Sequence, residues 1–151
     1  MQRLLWFLPT VVLWAADRLT KVWAVSHLPL AVPQPLIGNA IRLTYVRNTG
    51  GVFGLLPGNS AAFIAASAVV SVALVVLLLL RRVRGAWLRA GLSVILAGAI
   101  GNLIDRAVYG YVIDFFEIRG FPIFNLADSC ITVGALLVIV VVLWGGDRHR
   151  S

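Results

Sequence analysis

Long apolar runs, separated by short polar or basic links, dominate the 151-residue chain. A helix needs roughly 20 apolar residues to cross the hydrocarbon core of a bilayer, and four runs are long enough. They predict membrane-spanning helices at about 4–25, 61–80, 87–108 and 126–144. The second and fourth runs are almost purely apolar, whereas the first and third also contain charged residues.

The segment at about 28–60, between the first two helices, has a different pattern. Pro29, Pro33 and Pro35 favour extended backbone, and residues 41–46 alternate apolar and polar side chains at first. We therefore expect a small β-sheet on the outer face of the helices. The predicted fold class is an all-α membrane protein with four transmembrane helices and a small extracytoplasmic sheet or loop region, forming one domain over 1–151.

Composition supports this prediction, because 60% of the residues are apolar and only 13% are charged. A soluble domain has roughly 45–50% apolar residues, and a disordered chain has fewer. One cysteine and two histidines exclude a disulfide scaffold and a zinc site with four such ligands.

The net charge of +7 is best explained by membrane topology, so we expect no nucleic-acid partner. Cytoplasmic loops collect Lys and Arg. Alternating helices place seven arginines on one side, which predicts both termini in the cytoplasm: Arg3, Arg81, Arg82, Arg84, Arg89, Arg148 and Arg150. The first helix contains no cleavage site of the small-x-small type, so we expect it to be retained.

Five of the six acidic residues fall toward the outer ends of helices or in the second outer loop: Asp17, Asp105, Asp114, Glu117 and Asp128. A charge at membrane depth costs ~3 kcal/mol or more, so such residues are functional candidates. Three have an equally simple structural interpretation. Asp17 can neutralise Lys21 one helical turn away, Asp105-Arg106 can cap or anchor the third helix at the headgroups, and Asp128 can cap the fourth.

Asp114 differs, because it lies in the apolar stretch 112–116 with no neighbouring base. A lone carboxylate there should be protonated or have a partner in space. Two facing carboxyl groups share one proton, and such a pair can hydrolyse a peptide without a metal or a covalent nucleophile. Other nucleophiles are poorly supported, since His27 is the only outer histidine and Cys130 is expected to be a small buried apolar residue.

Five blocks, in order, resemble bacterial lipoprotein signal peptidase (signal peptidase II), and together they extend over nearly the whole chain. The blocks are Asp17-Arg18-Leu19-Thr20-Lys21, Asn48-Thr49-Gly50-Gly51-Val52-Phe53-Gly54, Gly98-Ala99-Ile100-Gly101-Asn102-Leu103-Ile104-Asp105-Arg106, Val112-Ile113-Asp114-Phe115 and Phe124-Asn125-Leu126-Ala127-Asp128. The resemblance implies an aspartic endopeptidase of the bacterial inner membrane. It would remove signal peptides from prolipoproteins by cutting before a Cys that carries diacylglycerol.

The resemblance also implies site residues. Asp114 and Asp128 would be the catalytic pair, at the outer face of the membrane. The residues that line the site or bind substrate would be Asn48, Gly50, Phe53, Gly98, Asn102, Arg106 and Asn125. Those in a supporting role would be Asp17, Lys21 and Asp105. We expect no metal and no other cofactor, a monomer in contact with membrane lipid, and inhibition by cyclic peptides of the globomycin type.

Small residues on the third helix form two stripes, one through Gly98 and one through Gly101. Such stripes let another helix approach closely, which is either a bound signal peptide or a helix of the protein itself. Three rival functions stay open at this point: a small membrane transporter or proton-relay protein, a scaffold without chemistry, and a metal hydrolase that uses the same acids.

Overall fold

The computed structural model describes residues 4–49, 60–80, 83 and 85–145. Within these ranges the helices are α1 (Leu8–His27, after a 3-10 turn at Leu4–Phe7), α2 (Ser60–Leu79), α3 (Ala86–Tyr109) and α4 (Leu126–Gly145). The strands are β1 (Gln34–Ile37), β2 (Ile41–Asn48) and β3 (Val112–Ile118). All four helices lie within a few residues of their predicted positions.

Helix α3 lies at the centre and packs against the other three helices. Two apolar clusters stabilise the bundle. One joins α2 and α3 through Leu74, Leu78, Val83, Leu92 and Leu96. The other joins the end of α1 to the sheet through Ala24, Tyr45, Ile113 and Phe115. Burial of these side chains fixes the sheet against one end of the bundle.

Three helices of the described chain are long and apolar enough to cross a membrane: Ala61–Leu79, Ala86–Tyr109 and Leu126–Trp144. The chain is therefore an integral membrane protein. Helix α1 is also 20 residues long, but Asp17, Arg18 and Lys21 interrupt its apolar sequence. Three of the four predicted spans are thus supported by helix length and composition.

The predicted small sheet is present, with three antiparallel strands in the order β1-β2-β3. Its third strand comes from the segment between α3 and α4, where the sequence indicated no strand. The first four residues of β3 are all buried, so this strand lacks the alternation that marks a half-exposed strand. Pairing with β2 places Asp114 opposite Val46, and Asn48 opposite Val112.

Two turns bring β3 between the helices that carry the other polar groups. Helix α3 ends at Gly110, which adopts a left-handed conformation (φ 79°) and donates its N–H to the carbonyl of Arg106 at 3.0 Å. Phe116 of β3 and Phe124 are joined by two backbone hydrogen bonds of 2.8 and 3.0 Å, which close residues 116–124 into a loop. This closed loop returns the chain to the site directly before α4.

Candidate active site

Asp114 is 1% exposed, and both of its carboxylate oxygens accept hydrogen bonds from amides. Asn48 Nδ2 donates to Oδ2 at 2.9 Å, and Asn125 Nδ2 donates to Oδ1 at 2.7 Å. Burial raises the pKa of Asp114 to about 7, and the nearby charge of Asp128 acts in the same direction, against the lowering effect of the amide donors. Asp114 therefore has the partners in space that its sequence position required: two amides that donate to it, with the acid Asp128 nearby.

Asp128 lies in the first turn of α4 and takes part in a reciprocal capping arrangement with Asn125. The Asp128 N–H donates to Asn125 Oδ1 at 2.8 Å, while the Asn125 N–H donates to Asp128 Oδ2 at 3.3 Å. Asn125 is therefore the N-cap residue, and Asp128 contributes to the cap from the first turn of the helix rather than from the N-cap position. The cap leaves the Asn125 amide nitrogen free to reach Asp114, so one side chain contacts both acidic residues.

Asn102 of α3 connects the same two acids from the other side. Its Nδ2 donates to Asp128 Oδ1 at 2.7 Å. Its Oδ1 accepts from Asn125 Nδ2 at 3.1 Å and from Lys21 Nζ at 3.1 Å. Asp114, Asn125, Asn102 and Asp128 thus form one hydrogen-bonded network, which we call the amide network.

Behind the amide network lies an ion cluster formed by Asp17, Arg18, Lys21 and Asp105. Lys21 Nζ lies 2.9 Å from Asp17 Oδ2 and 2.8 Å from Asp105 Oδ2, and Arg18 pairs with Asp105. The predicted neutralisation of Asp17 by Lys21 is confirmed. The alternative in which Asp105 anchors α3 at the headgroups is wrong, because Asp105 is 0% exposed and faces the two bases of α1.

The small-residue stripes of α3 serve packing between the helices of this chain. A Cβ on Gly101 would lie 2.6 Å from Asp17 Oδ2, and one on Gly98 would meet the Ala127 carbonyl and lie 2.8 Å from Ile131 Cγ1. Gly98 is therefore covered by α4, which corrects its predicted role in lining the substrate site. The close approach lets Asp17 Oδ1 accept the Ala127 N–H of α4 at 3.0 Å.

A cavity of about 460 Å³ opens beside Asp128, and Asn48 and Arg106 also line it. Most of its wall is apolar and comes from the closed loop and the first turns of α4, including Phe121, Ile123 and Ile131. The Arg106 guanidinium lies 5.1 Å from the centre of the Phe63 ring. An apolar chain in this cavity would have one acid and one guanidinium beside it.

The other residues singled out in the sequence do not add to this description of the site. Gly50 and Phe53 fall outside the described residues. Cys130 is buried, as predicted, and the His27 ring contacts a carbonyl of its own helix, that of Trp23 at 2.9 Å. Within the described ranges, no group of three or more His, Cys, Asp or Glu side chains is placed to hold a metal ion.

Comparison with known proteins identifies the family of this chain. The sequence profile described as "Signal peptidase (SPase) II" matches residues 9–144. The chain belongs to the signal peptidase II family. Members of the signal peptidase II family are peptidases of the aspartic type that remove signal peptides from prolipoproteins, and this chain has the same activity. The transporter alternative is accordingly disfavoured.

Individual signal peptidase II relatives match almost end to end. A lipoprotein signal peptidase of Syntrophomonas wolfei is 41% identical over 95% of this chain and 94% of its own length. One of Clostridium acetobutylicum is 36% identical over 87% of this chain and 89% of its own length. A bacterial membrane enzyme solved by the in meso method superposes with a TM-score of 0.90 at 29% identity, over 97% of this chain and 92% of that enzyme.

Proposed function

We propose that Asp114 and Asp128 are the catalytic pair, and that they cut prolipoproteins just before a Cys carrying diacylglycerol. The supporting observation is that both carboxyl groups bind to one amide network, Asp114 through Asn125 and Asp128 through Asn102. The pKa of Asp114, about 7, also supports a pair that holds one proton near neutral pH.

Cleavage then follows general acid–base chemistry. The ionised carboxylate takes a proton from a water molecule as the water oxygen bonds to the scissile carbonyl carbon. The protonated carboxyl gives its proton to the carbonyl oxygen. When the C–N bond breaks, the amine nitrogen takes the first proton, and an O–H of the intermediate returns the second. The pair ends with one proton, so no metal or covalent intermediate is needed.

Asn48 and Arg106 are proposed to bind the peptide next to this pair, because both line the cavity beside Asp128. A guanidinium can donate two parallel N–H groups to a carbonyl or lipid phosphate oxygen. The apolar wall of the cavity suits the apolar residues of a signal peptide or the acyl chains of the lipidated Cys. Membrane lipid and globomycin-type cyclic peptides are proposed ligands of the same surface.

We further propose that α1 is a fourth span, with both termini in the cytoplasm and the site at the outer face of the inner membrane. Helix α1 turns its charged residues inward, where Asp17 and Lys21 are each 1% exposed. Large apolar residues, such as Leu8 and Leu19, are 60% and 71% exposed on its other side, as lipid contact requires. Fusions of a periplasm-active reporter after Asn48 and after Trp144 should be active and inactive, respectively.

Among the described residues, both acids and the amides that bind them belong to one chain, so we propose a monomer with a single domain, and we propose that cleavage needs no cofactor. The test uses Asp114→Asn and Asp128→Asn separately, with purified protein and a diacylglyceryl-modified precursor. Each variant should insert in the membrane at the wild-type level and leave the precursor uncut. Cleavage at the wild-type rate by either variant would remove that residue from the catalytic pair.

Glu117→Gln is a matched control, because Glu117 lies on the same strand as Asp114. Its carboxylate pairs with Arg42 and Thr44 and does not join the amide network. This variant should cleave normally. Three further measurements test metal independence, inhibitor binding and the need for a lipidated Cys. Cleavage should persist in EDTA, stop with globomycin, and fail on a precursor whose lipidated Cys is replaced by Ser.

A further inference from the structure

Lys21 is a buried ammonium group with three oxygen atoms close to it. It is 1% exposed, and it lies within 2.9 Å of Asp17 and 2.8 Å of Asp105. The third partner is Asn102 Oδ1 at 3.1 Å, which is uncharged and belongs to the amide network. An ammonium group has donors only, so it can face only the oxygen end of the Asn102 amide.

The orientation of the Asn102 amide determines whether its NH₂ group or its oxygen faces the Asp128 carboxylate. In the observed orientation, Asn102 Nδ2 donates to Asp128 Oδ1 at 2.7 Å. Rotation of the amide by half a turn would put its oxygen against the carboxylate and its NH₂ against the Lys21 ammonium. Both new contacts would be repulsive, in a setting where Asn102 is only 5% exposed and water gives little screening.

Asn125 alone does not fix the orientation of Asn102. Its Nδ2 has two hydrogens but three acceptors: Asp114 Oδ1 at 2.7 Å, Asn102 Oδ1 at 3.1 Å and the Ile113 carbonyl at 3.2 Å. The other two acceptors can therefore take both hydrogens. Lys21, in contrast, is a donor only, and Asn102 Oδ1 is the oxygen to which its ammonium group donates a hydrogen bond.

Building on the proposed function, we propose that Lys21 is a positioning residue for peptide cleavage. Its ammonium group holds the Asn102 side chain in the orientation that presents an N–H to Asp128. Lys21 thus acts on the catalytic pair through Asn102, and it touches neither acid of that pair directly.

Arg18 provides a charge-matched comparison within the same ion cluster. Its guanidinium pairs with Asp105 and lies 3.8 Å from Asp17, and neither contact reaches the amide network. Arg18→Met and Lys21→Met each remove one positive charge from the cluster. Both variants should lose stability, but only Lys21→Met releases the Asn102 amide.

The test measures kcat and KM per folded enzyme on the diacylglyceryl-modified precursor, with thermal unfolding of each variant. Lys21→Met should lower kcat by about 10- to 100-fold, as loss of an outer group that orients a reactive one does elsewhere. Its KM should stay within about twofold of wild type, and Arg18→Met should keep a near-normal kcat. In an Asn102→Ala background, Lys21→Met should cause no further loss of kcat, because the amide it orients is already absent.

A normal kcat in Lys21→Met, an equal loss in Arg18→Met, or a full additional loss in the Asn102→Ala background would overturn the proposal. If Lys21→Met does not fold, the comparison is Asp17→Asn against Asp17→Asn/Lys21→Met, where the cluster stays neutral in the double variant. The same loss of kcat is expected there, and equal rates would overturn the proposal. Asp128→Asn is run in parallel, because its activity at the wild-type rate would instead refute the catalytic pair.

Discussion

Asp114 should make the stability of the folded protein fall as pH rises, because the fold penalises its charge. Its carboxyl has an ordinary pKa of 3.8 and a folded pKa of about 7. Between these values the folded protein binds a proton that the unfolded chain releases, so the free energy of unfolding declines with pH and levels off above 7. The full difference corresponds to about 4 kcal/mol at 1.36 kcal/mol for each pKa unit.

Asp114→Asn removes this titration and should flatten the curve. From the same two pKa values, the wild type loses about 2.5 kcal/mol between pH 5 and pH 8 relative to the variant. For a chain of this size that is a relative fall in Tm of roughly 5–10 °C. Thermal unfolding in detergent micelles, followed by circular dichroism at both pH values, measures it.

Glu117→Gln is the control, because the pKa of Glu117 is shifted the other way. Its hydrogen bond from Thr44 and its pairing with Arg42 lower that pKa, so its stabilising effect is lost only as pH falls below about 4.5. Between pH 5 and pH 8 its curve should lie below the wild type and parallel to it. If stability falls with pH equally in Asp114→Asn and in the wild type, the prediction is wrong, because Asp114 then binds no extra proton in the folded state.

Three further outcomes are expected. Gly101→Ala should lower Tm and kcat together, since its Cβ would lie 2.6 Å from the Asp17 carboxylate that binds the start of α4, and overpacking costs about 1–3 kcal/mol. Asn125→Ser should keep the helix cap and Tm but lose most of kcat, because serine caps a helix and cannot donate to Asp114 from that position. Cys130 should react with a hydrophilic maleimide only after denaturation, because it is 5% exposed.

Each of these outcomes has a control or a contrary result. Gly134→Ala also overpacks the contact between α3 and α4, with its Cβ 2.7 Å from Ile95 Cγ1, so it should lower Tm without a matching loss of kcat. Asn125→Ala should lose both cap and donor, and a normal kcat in Asn125→Ser would exclude the amide from catalysis. Fast labelling of Cys130 in the native protein would contradict its buried position.

The helices, and the fact that the acids inside them need partners, could be predicted from sequence, because both depend on local signals. Apolar runs of membrane length mark the helices, and charges inside them stand out by their cost. Strand β3 could not be predicted, because its first half is buried on both faces and shows no alternation. Its pairing with β2 depends on a partner far away in sequence.

The hydrogen bonds and ion pairs that connect the site residues could not be predicted from neighbouring residues either. Asn125 and Asp128 are spaced as in a capping box, which could have indicated that Asn125 is the cap. In contrast, nothing near Asp17 indicates that its carboxylate binds the Ala127 N–H of α4, and nothing near Asp105 indicates two bases from α1. Such contacts depend on how α1, α3 and α4 cross, and the crossing is set by packing at Gly98 and Gly101.

The ion cluster also has a consequence for how the chain is assembled in the bilayer during synthesis. Asp17, Arg18 and Lys21 leave α1 with one excess positive charge, and Asp105 of α3 supplies the missing counter-charge. Because α3 is synthesised long after α1, the first helix reaches electrical balance only when the third arrives. We therefore expect integration of the proposed span α1 to be coupled to docking of α3, and a ribosome-bound chain that stops before Asp105 should leave a cysteine placed in α1 open to a water-soluble maleimide.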